Sequence, residues 1–264
     1  MVAGLQHRVF QPGTHPNLGL ALCAWPQSPA RASIRSAANL GYRAVQLDLT
    51  HPEIRPRTLD RSARRDIAAV LRRHQLVCTG IDLWLPPEHL AGGPNLERAA
   101  NAVVGAIEFV REFASLVHTA AVVSLTLPTE PDREAMTEIE AAARRHEVAV
   151  ANHAWPAKDV GSLGLDPALA IMAGQSAPKS ATLLGSRLAS ARLCDAGVSG
   201  RLPIGASGGT LDVPAYAAAI SISAPNIPVV ADVRSLPDPS AAAASALQSW
   251  IDATEPYRAQ ESFS

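Results

Sequence analysis

The sequence predicts a single (β/α)₈ TIM barrel, and three observations predict it. First, one phrase recurs: a short apolar strand that ends in polar or ionisable residues. It reads Ala44-Val45-Gln46-Leu47-Asp48-Leu49-Thr50-His51, then Gly80-Ile81-Asp82-Leu83-Trp84, then Val148-Ala149-Val150-Ala151-Asn152-His153. It returns as Ala191-Arg192-Leu193-Cys194-Asp195 and as Val229-Val230-Ala231-Asp232-Val233-Arg234. Second, stretches of helical pattern separate these phrases, as in a parallel sheet built of βα units. Third, the first strand runs into Cys23-Ala24-Trp25-Pro26. An open doubly wound sheet usually places a glycine fingerprint there.

The elements follow in order. The first strand is expected over residues 18–24. A helix over 29–40 begins with Pro29, which suits a first turn, and stops at Gly41. The second strand covers 44–49 and the second helix 60–74, where Ile67, Val70 and Leu71 hold helical spacing. Pro86-Pro87 closes a third strand over 76–85. A long helix spans 95–116, with Val103, Ile107 and Val110 on one face. The fourth strand is 120–127, and the fourth helix is 131–146 with Thr129 or Asp132 as its cap. The fifth strand is 147–151. A short sixth strand, 162–165, leads into a helix starting near Asp166-Pro167. The seventh strand is 188–193. A glycine-rich loop through Gly200, Gly205, Gly208 and Gly209 precedes a helix over 213–222. The eighth strand is 227–231 and the last helix 239–254, with a loosely held tail over 255–264.

The chain has 264 residues, 47% of them hydrophobic, which suffices for one large α/β core. No linker divides it, so residues 1–264 are read as one domain with the barrel over about 17–254. The formal net charge of −1 leaves no electrostatic footprint for nucleic acid or an anionic membrane. Three widely spaced cysteines, Cys23, Cys78 and Cys194, form no CxxC pair. A disulfide framework or structural zinc site is therefore not expected. Residues 1–11 lack the apolar core of a secretory signal, and no apolar run approaches the ~20 residues of a membrane span. A cytoplasmic protein is expected.

The candidate chemistry lies at the strand ends. Asp48 and His51 stand where the second strand becomes a loop, and such a pair suits proton transfer. Asp82 and Trp84 are two apart and share a strand face. A ring that stacks beside an acid that takes hydroxyls is a way to hold a sugar. Asn152 and His153 offer hydrogen bonds to a substrate oxyanion. Arg192 can clamp a carboxylate or phosphate, or can pair with Asp166 and Asp232 from neighbouring strand ends. Asp232 and Arg234 close the eighth strand. Residues 205–209 offer a backbone nest for an anion but lack the Lys-Ser/Thr of a P-loop. No HExxH, GxSxG, CxxC or EF-hand pattern is present.

Three segments carry a resemblance. Gly41-Tyr42-Arg43-Ala44-Val45-Gln46-Leu47 resembles a G-[FY]-x-x-V-E-L motif, and Arg192-Leu193-Cys194-Asp195 resembles H-x-x-D. Arg201-Leu202-Pro203-Ile204-Gly205 with Gly208 to Asp212 resembles R-x-P-x-G-x-G-x-x-D. The family so resembled is that of the xylose isomerase-like barrels, which includes sugar-phosphate isomerases, ketose epimerases and endonuclease IV relatives.

Isomerase and epimerase members hold one divalent metal with Glu, Asp, His and Glu from the ends of strands five to eight. Carried over, those positions fall on Ala151, Asp166, Arg192 and Asp232. Only Asp166 and Asp232 can ligate an ion, and Gln46 stands where the second-strand motif has Glu. The resemblance thus implies a sugar isomerase or epimerase scaffold whose divalent-metal site (for Mn, Mg, Co or Zn) is degenerate, and no resident cofactor is expected. Asp48, His51, Asp82, His153 and Asp232 are the acid–base candidates. Trp84, Asn152, Arg192 and Arg234 are the substrate-binding ones. The alternative is a catalytically inactive barrel that binds a small polar or anionic ligand.

Overall fold

Eight parallel strands close into a barrel in the order β1-β10-β7-β6-β5-β4-β3-β2. The structure is a computed structural model and describes residues 18–157 and 162–261, with side chains to 254. The strands are β1 (Leu18–Ala21), β2 (Ala44–Asp48), β3 (Val77–Asp82), β4 (Val122–Leu125), β5 (Ala149–Asn152), β6 (Ser162–Leu165), β7 (Leu188–Leu193) and β10 (Val229–Ala231). A two-stranded antiparallel hairpin, β8 (Asp195–Gly197) and β9 (Gly200–Leu202), follows β7 at the barrel mouth. The helices are α1 (Ala30–Asn39), α2 (Arg61–Arg73), α3 (Leu96–Phe113), α4 (Arg133–His146), α5 (Pro167–Met172), α6 (Ala177–Leu184), α7 (Val213–Ser223) and α8 (Pro239–Glu261).

Local chemistry explains the helix starts. Asp60, Asp132 and Asp212 each accept a bond from the amide three residues on, capping α2, α4 and α7. Pro167 and Pro239 are the first residues of their helices, and Pro214 is the second of α7. Gly41 follows α1 with a φ of 97°, a conformation that stops a helix at little cost for glycine.

Alternation along the strands separates two environments. Leu18, Leu20, Val45, Leu47, Val123, Leu125, Leu163, Leu165, Leu193 and Val229 belong to one continuous apolar core with the shell helices. The other set is small or polar and meets across the lumen. Gln46 on β2 donates to Ser124 on β4 at 3.1 Å, and Ser124 to Ser190 on β7 at 3.5 Å. These strands are not neighbours in the sheet, so the bonds cross the interior.

Four expectations need correction. The strand–helix alternation breaks between β5 and β6: only residues 153–161 join them, and no helix lies there among the described residues. The helix expected after Asp166 is two, α5 and α6, split at Gly174, whose φ is 73°. The segment after β7, read as open loop, begins with the β8–β9 hairpin. The last helix continues past Thr254 to Glu261.

Candidate functional site

The polar strand ends converge on one buried cluster. Arg192, inward from β7, donates to Asp82 on β3 at 3.1 Å and to Asp166 after β6 at 3.3 Å. Its Nε lies 3.4 Å from Asp232. β7 and β3 are on opposite sides of the barrel, so this one guanidinium spans the lumen. Arg234 donates through Nε to both Asp232 oxygens at 2.9 and 3.0 Å and through Nη2 to Asp82 at 2.8 Å. Arg201 descends from β9 onto Asp166 at 2.8 Å and Asp232 at 3.1 Å. Three guanidinium groups thus balance three carboxylates, and Asp82, Asp166, Arg192 and Asp232 are all buried.

Backbone detail aims these groups. Gly80 has a φ of 109° beside an irregularity in the β2–β3 register. A Cβ there would sit 2.7 Å from the Val122 carbonyl oxygen. The bulge brings Asp82 to the lumen two residues later. Asp166 serves twice: Oδ1 accepts the Ala168 amide and caps α5, and Oδ2 faces the arginines.

Charge pairing sets the protonation states. Burial by itself would raise Asp232, but Arg234, Arg192 and Arg201 outweigh it and hold the carboxyl far below the usual range. Asp166 behaves alike: Arg201 and Arg192 overcome burial and lower it. Asp48 is shifted up by burial; hydrogen bonds from Thr50 oppose this and Asp82 adds to it. His153 is pushed well below its ordinary value, first by burial and then by Arg192. It is a neutral imidazole, and neither ring nitrogen has a partner among the described residues.

The geometry places the other expected residues as follows. Asp48 does not pair with His51: its carboxylate takes the amide and hydroxyl of Thr50. His51 instead bonds the Ser28 carbonyl through Nε2 at 3.0 Å and accepts the Glu53 amide at Nδ1, which braces the rim. Asn152 offers its side-chain oxygen to the Leu127 and Ala154 amides, both at 3.0 Å, and so ties loops together instead of facing the cluster. Trp84 does not follow Asp82 inward; it is 60% exposed. In the loop at 205–209 the Ala206 and Gly209 amides bond the Pro203 and Ala206 carbonyls, and Asp195 takes the neighbouring Ala196, Thr210 and Leu211 amides at 2.7–2.9 Å. Arg201 was not among the expected site residues. Its signal was its place in the R-x-P-x-G segment, six residues after Asp195 and across a glycine-flanked turn.

Against this geometry stand the known proteins. No protein-family model and no curated protein matches the sequence. Among solved structures, the chain is similar to an L-ribulose 3-epimerase (14% identity, 94% of this chain and 97% of that one, TM-score 0.64). It is similar to D-psicose 3-epimerase with D-tagatose from Clostridium cellulolyticum H10 (11%, 91% and 99%, TM-score 0.67). It is also similar to a xylose isomerase-like TIM barrel protein from Mycobacterium smegmatis in complex with magnesium (11%, 93% and 100%, TM-score 0.64). The chain has the TIM-barrel fold of these proteins.

The residues of this barrel do not fit the metal that the resemblance implies. Ala151 offers no donor atom, and Arg192 brings a permanent cation to the ligand position. Asp166 and Asp232 already face guanidinium groups. Among the described residues no group of three or more His, Cys, Asp or Glu could hold a metal ion. Nor is any described helix long and apolar enough to cross a membrane.

Proposed function

We propose that the chain is a sugar isomerase/epimerase-like protein that receives a small polyhydroxylated ligand at the barrel mouth without a divalent metal. One observation carries the reading: the Arg192 guanidinium stands among Asp82, Asp166 and Asp232. A fixed positive charge there can stabilise an oxyanion, the task a metal performs elsewhere. Its neighbours supply the rest. Arg201 and Arg234 are partly exposed and present N–H donors to hydroxyls. Trp84 offers an exposed face at the rim. Asp48 and neutral His153 are the groups left to move a proton, because Asp166 and Asp232 are too acidic to act as bases.

A second reading has its own support. Every carboxylate of the cluster is already engaged and the cluster is buried, which suits binding without turnover. Either way the reading is metal-independent, and that is testable. Purified protein should carry no stoichiometric Mn, Mg, Co or Zn by elemental analysis, and EDTA should leave its melting temperature unchanged. The double variant Ala151→Glu, Arg192→His, which restores the family's donor types, should bind Mn²⁺ and gain thermal stability from it. Stoichiometric metal in the wild-type protein would sink the proposal. A ketose and aldose panel then separates turnover from binding alone: a melting shift without conversion selects the second reading.

A further inference from the structure

The cluster at the barrel mouth is layered by charge. Its carboxylates are covered: the side chains of Asp82, Asp166 and Asp232 are at most 1% exposed. Its guanidinium groups carry the exposure, with the side chain of Arg201 at 22% and that of Arg234 at 14%. Arg192 lies deeper, at 7%. A molecule arriving from solvent therefore meets N–H edges before it meets an acid.

The two outer guanidinium groups stand side by side. Arg201 comes from β9 and Arg234 from the segment after β10, and both approach the same oxygen, Asp232 Oδ2. Arg201 does so through Nη2 at 3.1 Å and Arg234 through Nε at 3.0 Å. The two nitrogens are thus no more than about 6 Å apart. One oxyanion closes a gap of that width with an N–H···O bond of about 3 Å to each side. Both groups keep donors for such a guest. The bonds of Arg234 use Nε and Nη2, which leaves Nη1. Those of Arg201 use Nη1 and Nη2, and its Nε is a buried donor with no acceptor among the described residues. Such a donor is an exception in a folded protein and calls for an acceptor. The acids of the cluster are already engaged, and Asp48 holds the amide and hydroxyl of Thr50.

We propose that the ligand of this site is a sugar acid, an aldonate or a uronate, whose carboxylate bridges Arg201 and Arg234. This rests on the metal-free sugar site proposed above and names the class of its ligand. A hydrogen bond to an ionised acceptor is roughly twice as strong as one to a neutral hydroxyl, and a carboxylate matches the planar edge of a guanidinium. Two adjacent cations therefore favour an acid over a neutral sugar. Charge also favours a carboxylate over a phosphate ester. Three guanidinium groups and three carboxylates leave the cluster neutral. A sugar acid adds one negative charge, whereas a phosphate ester adds up to about two above three buried acids.

Isothermal titration calorimetry of the full chain tests this. Gluconate, galactonate, glucuronate and galacturonate are set against glucose, galactose, fructose and the 6-phosphates of glucose and galactose. At least one acid should bind at least tenfold more tightly than every neutral sugar. Its Kd should rise at least threefold between 20 and 300 mM NaCl, because salt screens a charge contact at the mouth. Arg234→Gln should weaken that acid at least tenfold. Asp82 keeps Arg192 in this variant, and circular dichroism checks its fold. Should the variant not fold, the salt series on the wild-type protein decides. A neutral sugar that binds as tightly as the best acid would overturn the inference and leave the sugar site standing. A 6-phosphate that binds more tightly than every acid would overturn the choice of carboxylate. Binding of none of these compounds would overturn both the inference and the sugar site.

Discussion

His153 brings together most of what is unusual about the barrel interior. It is buried, neutral and without a hydrogen-bond partner among the described residues, at the rim of a cluster of six charges. Its lowered proton affinity has a consequence for stability, and the sign follows from linkage. Native His153 refuses a proton that the same residue in the unfolded chain accepts near its ordinary value of about 6.5. The contribution to stability is therefore complete above about pH 6.5 and is lost as pH falls below it. Each pH unit in that acid range costs about 1.4 kcal/mol per proton. Denaturant unfolding at pH 7.5, 6.5 and 5.5 should show wild type losing stability more steeply than His153→Gln by about that slope. Parallel pH profiles would mean that the imidazole protonates equally in both states. Arg192 differs: its position beside Asp166 and Asp232 was readable from the sequence as one of two options. Its bond to Asp82, 110 residues away, was not. Closure of the barrel makes that contact, and no local pattern reports it.

At the scale of elements, the strands were the legible part. Their polar ends stand out because side-chain alternation makes every second residue near a strand C-terminus a lumen residue. β6 and β7 match their expected bounds, and the others differ by a few residues at their ends. What stayed hidden was decided by packing. The β8–β9 hairpin is anchored by a distant contact, since Asp195 at its base binds the loop ahead of α7. The seating of the His153 ring against β6 depends on one glycine. A Cβ at Gly164 would lie 2.6 Å from three ring atoms of His153. The imidazole thus fills the space that a side chain on β6 would need. Gly164→Ala should cost about 1–3 kcal/mol, in the range of overpacked cores. The same change made in a His153→Ala background should cost less than half as much, a coupling of at least 0.5 kcal/mol between touching residues. Equal costs in the two backgrounds would show that Gly164 is required for its backbone and not for the imidazole.

Across the whole molecule, the shell is uneven, and its gap has a definite cause. The connection from β5 to β6 is too short to carry a crossover helix, whereas parallel strands usually need a dozen or more residues. That shortness is visible in the sequence as the interval between Asn152 and Ser162. Its result is a groove of about 370 Å³ lined by Met136, Ile139 and Ala143 of α4 with Val148, just before β5, and Val150 within it. Val150 and Ala149 are half-buried, whereas Val45 and Leu47 of β2 are wholly covered. A strand with less apolar cover opens locally at lower free energy. Amides of residues 149–152 should therefore exchange at least tenfold faster than those of β2 and β7, a gap of about 1.4 kcal/mol in opening free energy. Native-state hydrogen exchange read by mass spectrometry measures it directly. Equal protection around all eight strands would mean that lumen bonds, from the Gln46–Ser124–Ser190 chain up to the Arg–Asp cluster, hold the barrel as one cooperative unit regardless of its shell.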